Sequence, residues 1–205
     1  MAVISNGTTI FDAGAIDSGQ ATGAMTHIKT LTASSSGTLS FVHGASSVVL
    51  DGTYKEYVFK FINIHPATDS TEFGVGFRDG GTAYDATKTT TAFLSIENEA
   101  NTEGAVSSRI ANEGLEENAG FQSLNLNMGN GNDESLSGEM FLYSPSSTTF
   151  IKHFMSSTNY YQDGDATINY RVAGFCHATA AIDGVQFKMN SGNIDSGIIK
   201  LYGIK

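Results

Sequence analysis

Tryptophan is absent from these 205 residues, cysteine occurs once and proline twice. The single thiol, Cys176, excludes an internal disulfide, which fits a chain that folds in a reducing cytosol. Basic residues are also scarce. Eleven Lys and Arg against 21 Asp and Glu leave a formal charge of -10 and a pI near 4.7. No basic stripe exists to neutralise phosphates, so nucleic acid is not an expected partner. No apolar run approaches the roughly 18 residues that a membrane helix needs, and residues 1–6 lack the basic and apolar regions of a signal peptide. The expectation is a soluble chain that neither spans a membrane nor carries its own export signal.

What is present is 23 glycines, with abundant Ser, Thr and Asn and only 16% charged residues. That is the composition of a turn-rich β protein with a weakly charged surface. A chain of this length buries roughly 70% of its unfolded surface, enough for one β-rich domain without staples.

The end of the chain sets the frame. Residues 183–189 alternate, Val185, Phe187 and Met189 on one side and Gln186 and Lys188 on the other, which is the period of a half-buried strand. Gly, Asn and Asp over 190–197 predict a reversal, and 198–204 a returning strand that fills a sheet. That strand's second face carries Tyr202 and Ile204, which either lie under a loop of the same chain or meet another chain.

Upstream, alternation predicts strands at 25–32, 38–43, 55–63, 72–78, 89–96, 121–128, 136–143, 148–155 and 166–175. Tyr57, Phe59 and Phe61 share a face expected to be central core. Pro66 ends their strand, having no donor for the ladder. In 72–78 Phe73, Val75 and Phe77 face in, while Gly74 and Gly76 leave the other face bare. Residues 97–119 are poor in apolar side chains and read equally as a short helix over 108–118 or a surface excursion. Roughly ten to twelve strands with short polar turns predict an all-β, two-sheet antiparallel β-sandwich, jelly-roll-like, over 25–205. Residues 1–24 are too glycine-rich to build a core and read as an extended N-terminal arm. Its apolar residues Ile4, Ile10, Phe11 and Ile16, with Tyr202 and Ile204, are the candidate interface, whether against the same domain, a sister subunit or a larger particle.

Catalytic patterns are missing. His27, His43, His65, His153 and His177 are scattered without metal-ligand spacing. Cys176 and His177 are neighbours in a strand, so their side chains point to opposite faces and make no nucleophile–base pair. Asn130, Asn132, Asp133 and Glu134, on a glycine-flexible loop, are the weak candidates for a cation site, since such oxygens suit Ca²⁺, although a plain hairpin turn is the preferred reading. Glu97, Glu99, Glu103, Glu116 and Glu117 could face one another as glycosidase carboxylates, but a solvated acidic face is the commoner arrangement. Tyr84, Tyr143, Tyr160, Tyr161 and Tyr170 could stack on sugars, a reading that the lack of tryptophan weakens. The expectation is a chain with no enzymatic activity and no cofactor.

Residues 53–59 (TYKEYVF) with 63–69 (NIHPATD), 136–138 (LSG), 144–149 (SPSSTT) and 186–204 (QFKMNSGNIDSGIIKLYGI) resemble a family of small virion proteins in tailed phages of marine bacteria, including cyanophages. The resemblance covers roughly residues 24–205, and its motifs look like strand and turn signatures. It implies a capsid decoration, head fibre or tail appendage, assembled in the host cytoplasm as a homo-oligomer with other virion proteins as partners. A lectin-like module that binds a host surface glycan is the alternative.

Overall fold

The computed structural model describes residues 3–5, 8–12, 15–16, 24–102, 104–108 and 114–205; within the first 23 residues, Ile4 is the side chain described. The described residues contain strands and turns and no helix. Twelve strands, β4 to β15, form two antiparallel sheets, so the chain is a β-sandwich. The larger sheet has the order β4 (Met25–Ser36), β15 (Ile194–Ile204), β6 (Glu56–Pro66), β11 (Leu136–Tyr143), β12 (Lys152–Gln162), β13 (Ala166–Cys176), β8 (Lys88–Asn98), β9 (Gly104–Ser108). The smaller has β10 (Gln122–Ser123), β7 (Phe73–Arg78), β14 (Gly184–Met189), β5 (Leu39–Val42). The chain changes sheet repeatedly between β4 and β8, and again at β10, β11, β14 and β15, so residues distant in sequence close one core. Val3–Ser5 (β1), Thr8–Asp12 (β2) and Ala15–Ile16 (β3) form a separate three-stranded antiparallel meander.

Period-two alternation puts one apolar row of each sheet into the space between them. Tyr57, Phe59 and Phe61 of β6 are buried there, as expected, against Phe73 of β7 and Phe187 of β14. Phe187 is the hub, its ring centroid 5.4 Å from Phe59, 5.2 Å from Phe61 and 5.5 Å from Phe73. Edge-to-face and offset contacts at these distances add to the area that the rings bury.

Several predicted boundaries move for identifiable reasons. The strand expected at 148–155 begins at Lys152 and runs on to Gln162. Its start is displaced because the Ser147 hydroxyl accepts from the amides of Thr149 and Phe150, which extends the turn. Its second half looks like a polar loop in sequence, yet Ser156 and Thr158 point inward and donate to the carbonyls of Glu139 and Leu124. Of the strand expected at 121–128, only Gln122–Ser123 pairs with β7. Beyond it Asn127 takes a positive φ of 41°, and pairing resumes only at the isolated bridge of Met128 to Thr71. The reversal after β14 is shorter than expected, because Ile194 is fully buried opposite Pro66 and already belongs to β15. Gly197, at φ 126°, forms a bulge inside that strand. Residues 114–118 form no helix and bridge to Lys88 through Asn118; residues 109–113 lie outside the described residues.

The outer face of β7 is not bare. A Cβ on Gly76 would stand 2.7 Å from Cζ of Phe121, whose ring lies across the strand and receives the Lys188 ammonium 4.3 Å from its centroid.

Candidate functional site

The outer face of the eight-stranded sheet carries exposed large apolar side chains, Phe93 and Met155 among them. Register fixes its composition: His153 opposite Phe175 opposite Thr89, then Met155 opposite Ala173 opposite Thr91, across β12, β13 and β8. The same row continues through Phe141 of β11, Val58 of β6 and Tyr202 of β15. Alternation makes all of these outward-facing, yet most are apolar. Val58 is fully buried even on this outer side, flanked in register by Phe141 and Tyr202. Phe93 and Met155 stand about half exposed. Ala173 borders a hollow of about 440 Å³ rimmed by His153, Met155, Phe175 and Thr91, and a smaller one of about 180 Å³ beside Phe93 and Arg171. The other half of the same face is polar, with Ser95, Asn159, Asn169 and the Lys60–Glu139 ion pair. One half of the sheet therefore offers an apolar surface that no described residue covers.

The candidate interface residues separate accordingly. Tyr202 and Ile204 are half-buried on this outer face, but β15 is hydrogen-bonded to β4 on one side and β6 on the other. Their strand is thus interior to the sheet, with both ladders filled. His27 covers part of Tyr202, with ring centroids 5.4 Å apart. Ile4 is 62% exposed. The side chains of Ile10, Phe11 and Ile16 lie outside the described residues. Sequence reading missed Phe93, Met155, Phe141 and Phe175; the available signal was a strand carrying apolar residues on both faces.

The loop at 129–134 is built as a turn. The Glu134 carboxylate accepts from the Gly131 amide, and the Glu134 amide donates to the Gly131 carbonyl at 3.0 Å. Asn130 is held through its amide to the Asp69 carboxylate at 3.3 Å. The oxygen best placed to serve a cation is thus committed to backbone. Asn132, Asp133 and Glu134 do converge with Asn63, His65 and Asp195 around a polar hollow, and His65 bonds the Gly131 carbonyl at 3.0 Å. Among the described residues, no group of three or more His, Cys, Asp or Glu is arranged to hold a metal ion.

Cys176 lies between two lysines. Lys152, Cys176 and Lys88 occupy one register row of β12, β13 and β8, all inward and all buried. Burial pushes the thiol up to about 12, against the pull of both ammonium groups, and holds both lysines below their usual range. Each lysine is instead satisfied by loop carbonyls: Lys88 donates to Ala86 at 3.0 Å and Gly120 at 2.6 Å, and Lys152 to Ala178 at 3.1 Å and Ala180. A protonated thiol among committed ammonium groups is not a nucleophile at neutral pH. The row pins the 119–120 and 178–180 loops to the sheet. His177, on the opposite face, bonds Thr89 at 2.7 Å.

Glu99 accepts from the Tyr161 hydroxyl at 2.9 Å, which raises that phenol to about 12. Glu97 is on β8, Glu116 and Glu117 are exposed in the 114–120 segment, and Glu103 lies outside the described residues. Tyr160 and Tyr170 are buried, with no face free for a sugar.

No protein-family model matches this chain, and no curated protein matches it. Among solved structures, a structural-genomics protein of unknown function from Bacteroides ovatus is similar over 51% of this chain and 45% of its own length, at 6% identity and a TM-score of 0.27. The chain thus spans less than half of that protein, and a likeness of this size carries no argument.

Proposed function

We propose that this chain is a non-enzymatic structural component of a phage virion, a capsid decoration, head fibre or tail appendage that docks on the particle and presents its sandwich outward. The observation that carries the reading is the apolar half of the outer sheet face, a surface suited to assembly. Exposed apolar patches larger than a few hundred Å² mark interaction sites on soluble proteins. The segments that resemble the virion family support it from another side. Their 63–69 and 186–204 stretches meet in space, where the Ala67 amide donates to the Asn193 carbonyl at 3.0 Å and Ile194 pairs with Pro66. They therefore act as a fold signature.

The test is the protein content of gradient-purified particles of a phage that encodes this chain. Quantitative mass spectrometry is expected to find the chain at a fixed copy number relative to the major capsid protein. Its loss from particles while abundant in the lysate would overturn the reading.

A host-glycan-binding module is the second reading, favoured by the polar hollow of Asn63, His65, Asn132, Asp133 and Asp195 at one end of the sandwich. Neither Phe nor Tyr lines that hollow, so a sugar there would be held by hydrogen bonds without a stacking ring. Glycan-array binding that Asp133→Ala and Asp195→Ala abolish would establish it; an array without signal removes it.

A further inference from the structure

We infer that Asn130 is a site of self-modification: the Gly131 amide nitrogen closes on its side chain to form a succinimide, with Glu134 as the base, and water opens the ring to a carboxylate. The chemistry belongs to the chain itself and stands whether or not the protein is part of a virion.

The sequence supplies the reacting pair. In an asparagine followed by glycine, the backbone nitrogen of the glycine reaches the asparagine Cγ with no Cβ to obstruct it. Two such pairs occur in the chain, Asn6–Gly7 and Asn130–Gly131.

The fold gives the second pair a base. The Gly131 amide donates to the Glu134 carboxylate, so the proton that must leave the attacking nitrogen already points at a group able to take it. One missing side chain admits both the attack and the base, since a Cβ on Gly131 would stand 2.9 Å from Oε2 of Glu134. A Cβ on Gly129 would overlap the same oxygen. The flanking bonds hold the reactants together. The Asn130 amide donates to the Asp69 carboxylate at 3.3 Å, and Nδ2, the nitrogen that leaves, donates to the Ala67 carbonyl at 3.5 Å. On the other side, the Gly131 carbonyl accepts from the Glu134 amide and bonds His65 Nε2, each at 3.0 Å. Asn130 and Gly131 are exposed and lie outside every strand, so ring closure breaks no ladder and water reaches the product.

The step balances without any redox partner. As the Gly131 nitrogen bonds to Cγ of Asn130, Glu134 takes its proton; the Cγ–Nδ2 bond then breaks, and the nitrogen leaves as ammonia with that proton. Water adds to one of the two ring carbonyls. Attack at one gives an ordinary aspartyl linkage, and attack at the other an isoaspartyl linkage, whose backbone is longer by a methylene. Either product places a new carboxylate beside Asp69, in a loop whose Asp133 and Glu134 line the polar hollow. Like-charge repulsion then loosens the turn as the protein ages.

The experiment follows Asn130 in the full chain by peptide mass spectrometry during warm incubation at neutral pH, with fragmentation that separates aspartyl from isoaspartyl products. Three samples are compared: folded wild type, wild type unfolded in guanidinium chloride, and Glu134→Gln with its fold checked by circular dichroism. Gln keeps an acceptor oxygen for the Gly131 amide but cannot take its proton. Conversion at Asn130 is expected to be at least about tenfold faster in the folded wild type than in the unfolded chain, and to fall by a similar factor in Glu134→Gln. Asn6, with no acidic residue among the four that follow it, serves as an internal clock that the substitution leaves unchanged. An Asn130 that converts no faster folded than unfolded overturns the inference, and this comparison decides the matter even should Glu134→Gln fail to fold. A folded Glu134→Gln that converts as fast as wild type overturns it too. Neither result bears on whether the chain is found in particles, so the two proposals fail separately.

Discussion

Phe187 shows how much one side chain can carry. Its ring meets rings from β5, β6 and β7, so it joins the two sheets alongside the Phe41–Phe59, Phe61–Phe73 and Phe77–Phe154 contacts. Phe187→Ala leaves a cavity that both sheets must collapse to fill, and its expected cost is about 3–5 kcal/mol, read as a fall in urea midpoint. Cys176 acts through protons. Its thiol pKa is raised from 9.0 to about 12. The unfolded chain therefore releases that proton near pH 9 while the folded chain holds it, and the stability due to the neutral thiol is lost as pH rises from 9 towards 12. Lys88 and Lys152 act oppositely: with folded pKa values below 10.5, they add stability as pH climbs towards that value. A single alkaline curve mixes the two signs, so the test is a difference. Wild type is expected to lose stability relative to Cys176→Ala by up to about 1.4 kcal/mol per pH unit between pH 9 and 11. Parallel urea midpoints over that range would show that the thiol titrates normally.

At the scale of the element, legibility followed the alternation of apolar residues. Strands whose inner row is aromatic or aliphatic, such as β6, β7, β11 and β14, were readable within a residue or two at most boundaries. β12 was cut short because its inner row changes from Phe154 to Ser156 and Thr158, hydroxyls that serve the core only through carbonyls supplied by distant segments. β9 was invisible, since Gly104–Ser108 is an exposed edge whose pairing comes from β8 and not from its own apolar content. The outer apolar surface was hidden for a related reason. Phe93, Met155 and Phe175 each look incidental within one strand, and only the cross-strand register gathers them. The glycines of β7 read as a bare face, but Phe121 covers it, from a segment with two residues of strand. Gly76→Ala must push that ring aside, and because the ring is half-exposed it can swing away. The expected loss is the value of its cover, about 1–2 kcal/mol. In a double-mutant cycle with Phe121→Ala most of this cost should vanish, whereas additive losses would mean that the strand backbone is the constraint.

On the scale of the whole molecule, the division into arm and sandwich makes a separable claim. Every fully buried apolar side chain described lies at Ala33 or beyond, and β1 to β3 pair among themselves. The sandwich therefore contains its own driving force: both sheets, the phenylalanine hub and the lysine-pinned loops are present without the first 23 residues. A chain beginning at Ala24 is expected to melt within about 2 °C of the full protein, because 1 kcal/mol corresponds to about 2–4 °C at this size. A fall of more than about 5 °C would mean that the arm is part of the domain's own packing. The same pair of proteins, compared by light scattering, then tells the two assembly elements apart. If copies associate and the shortened chain keeps the mass of the full chain's assembly, the sandwich itself joins them. If the mass falls to that of a monomer while the melting temperature holds, the arm itself joins the copies.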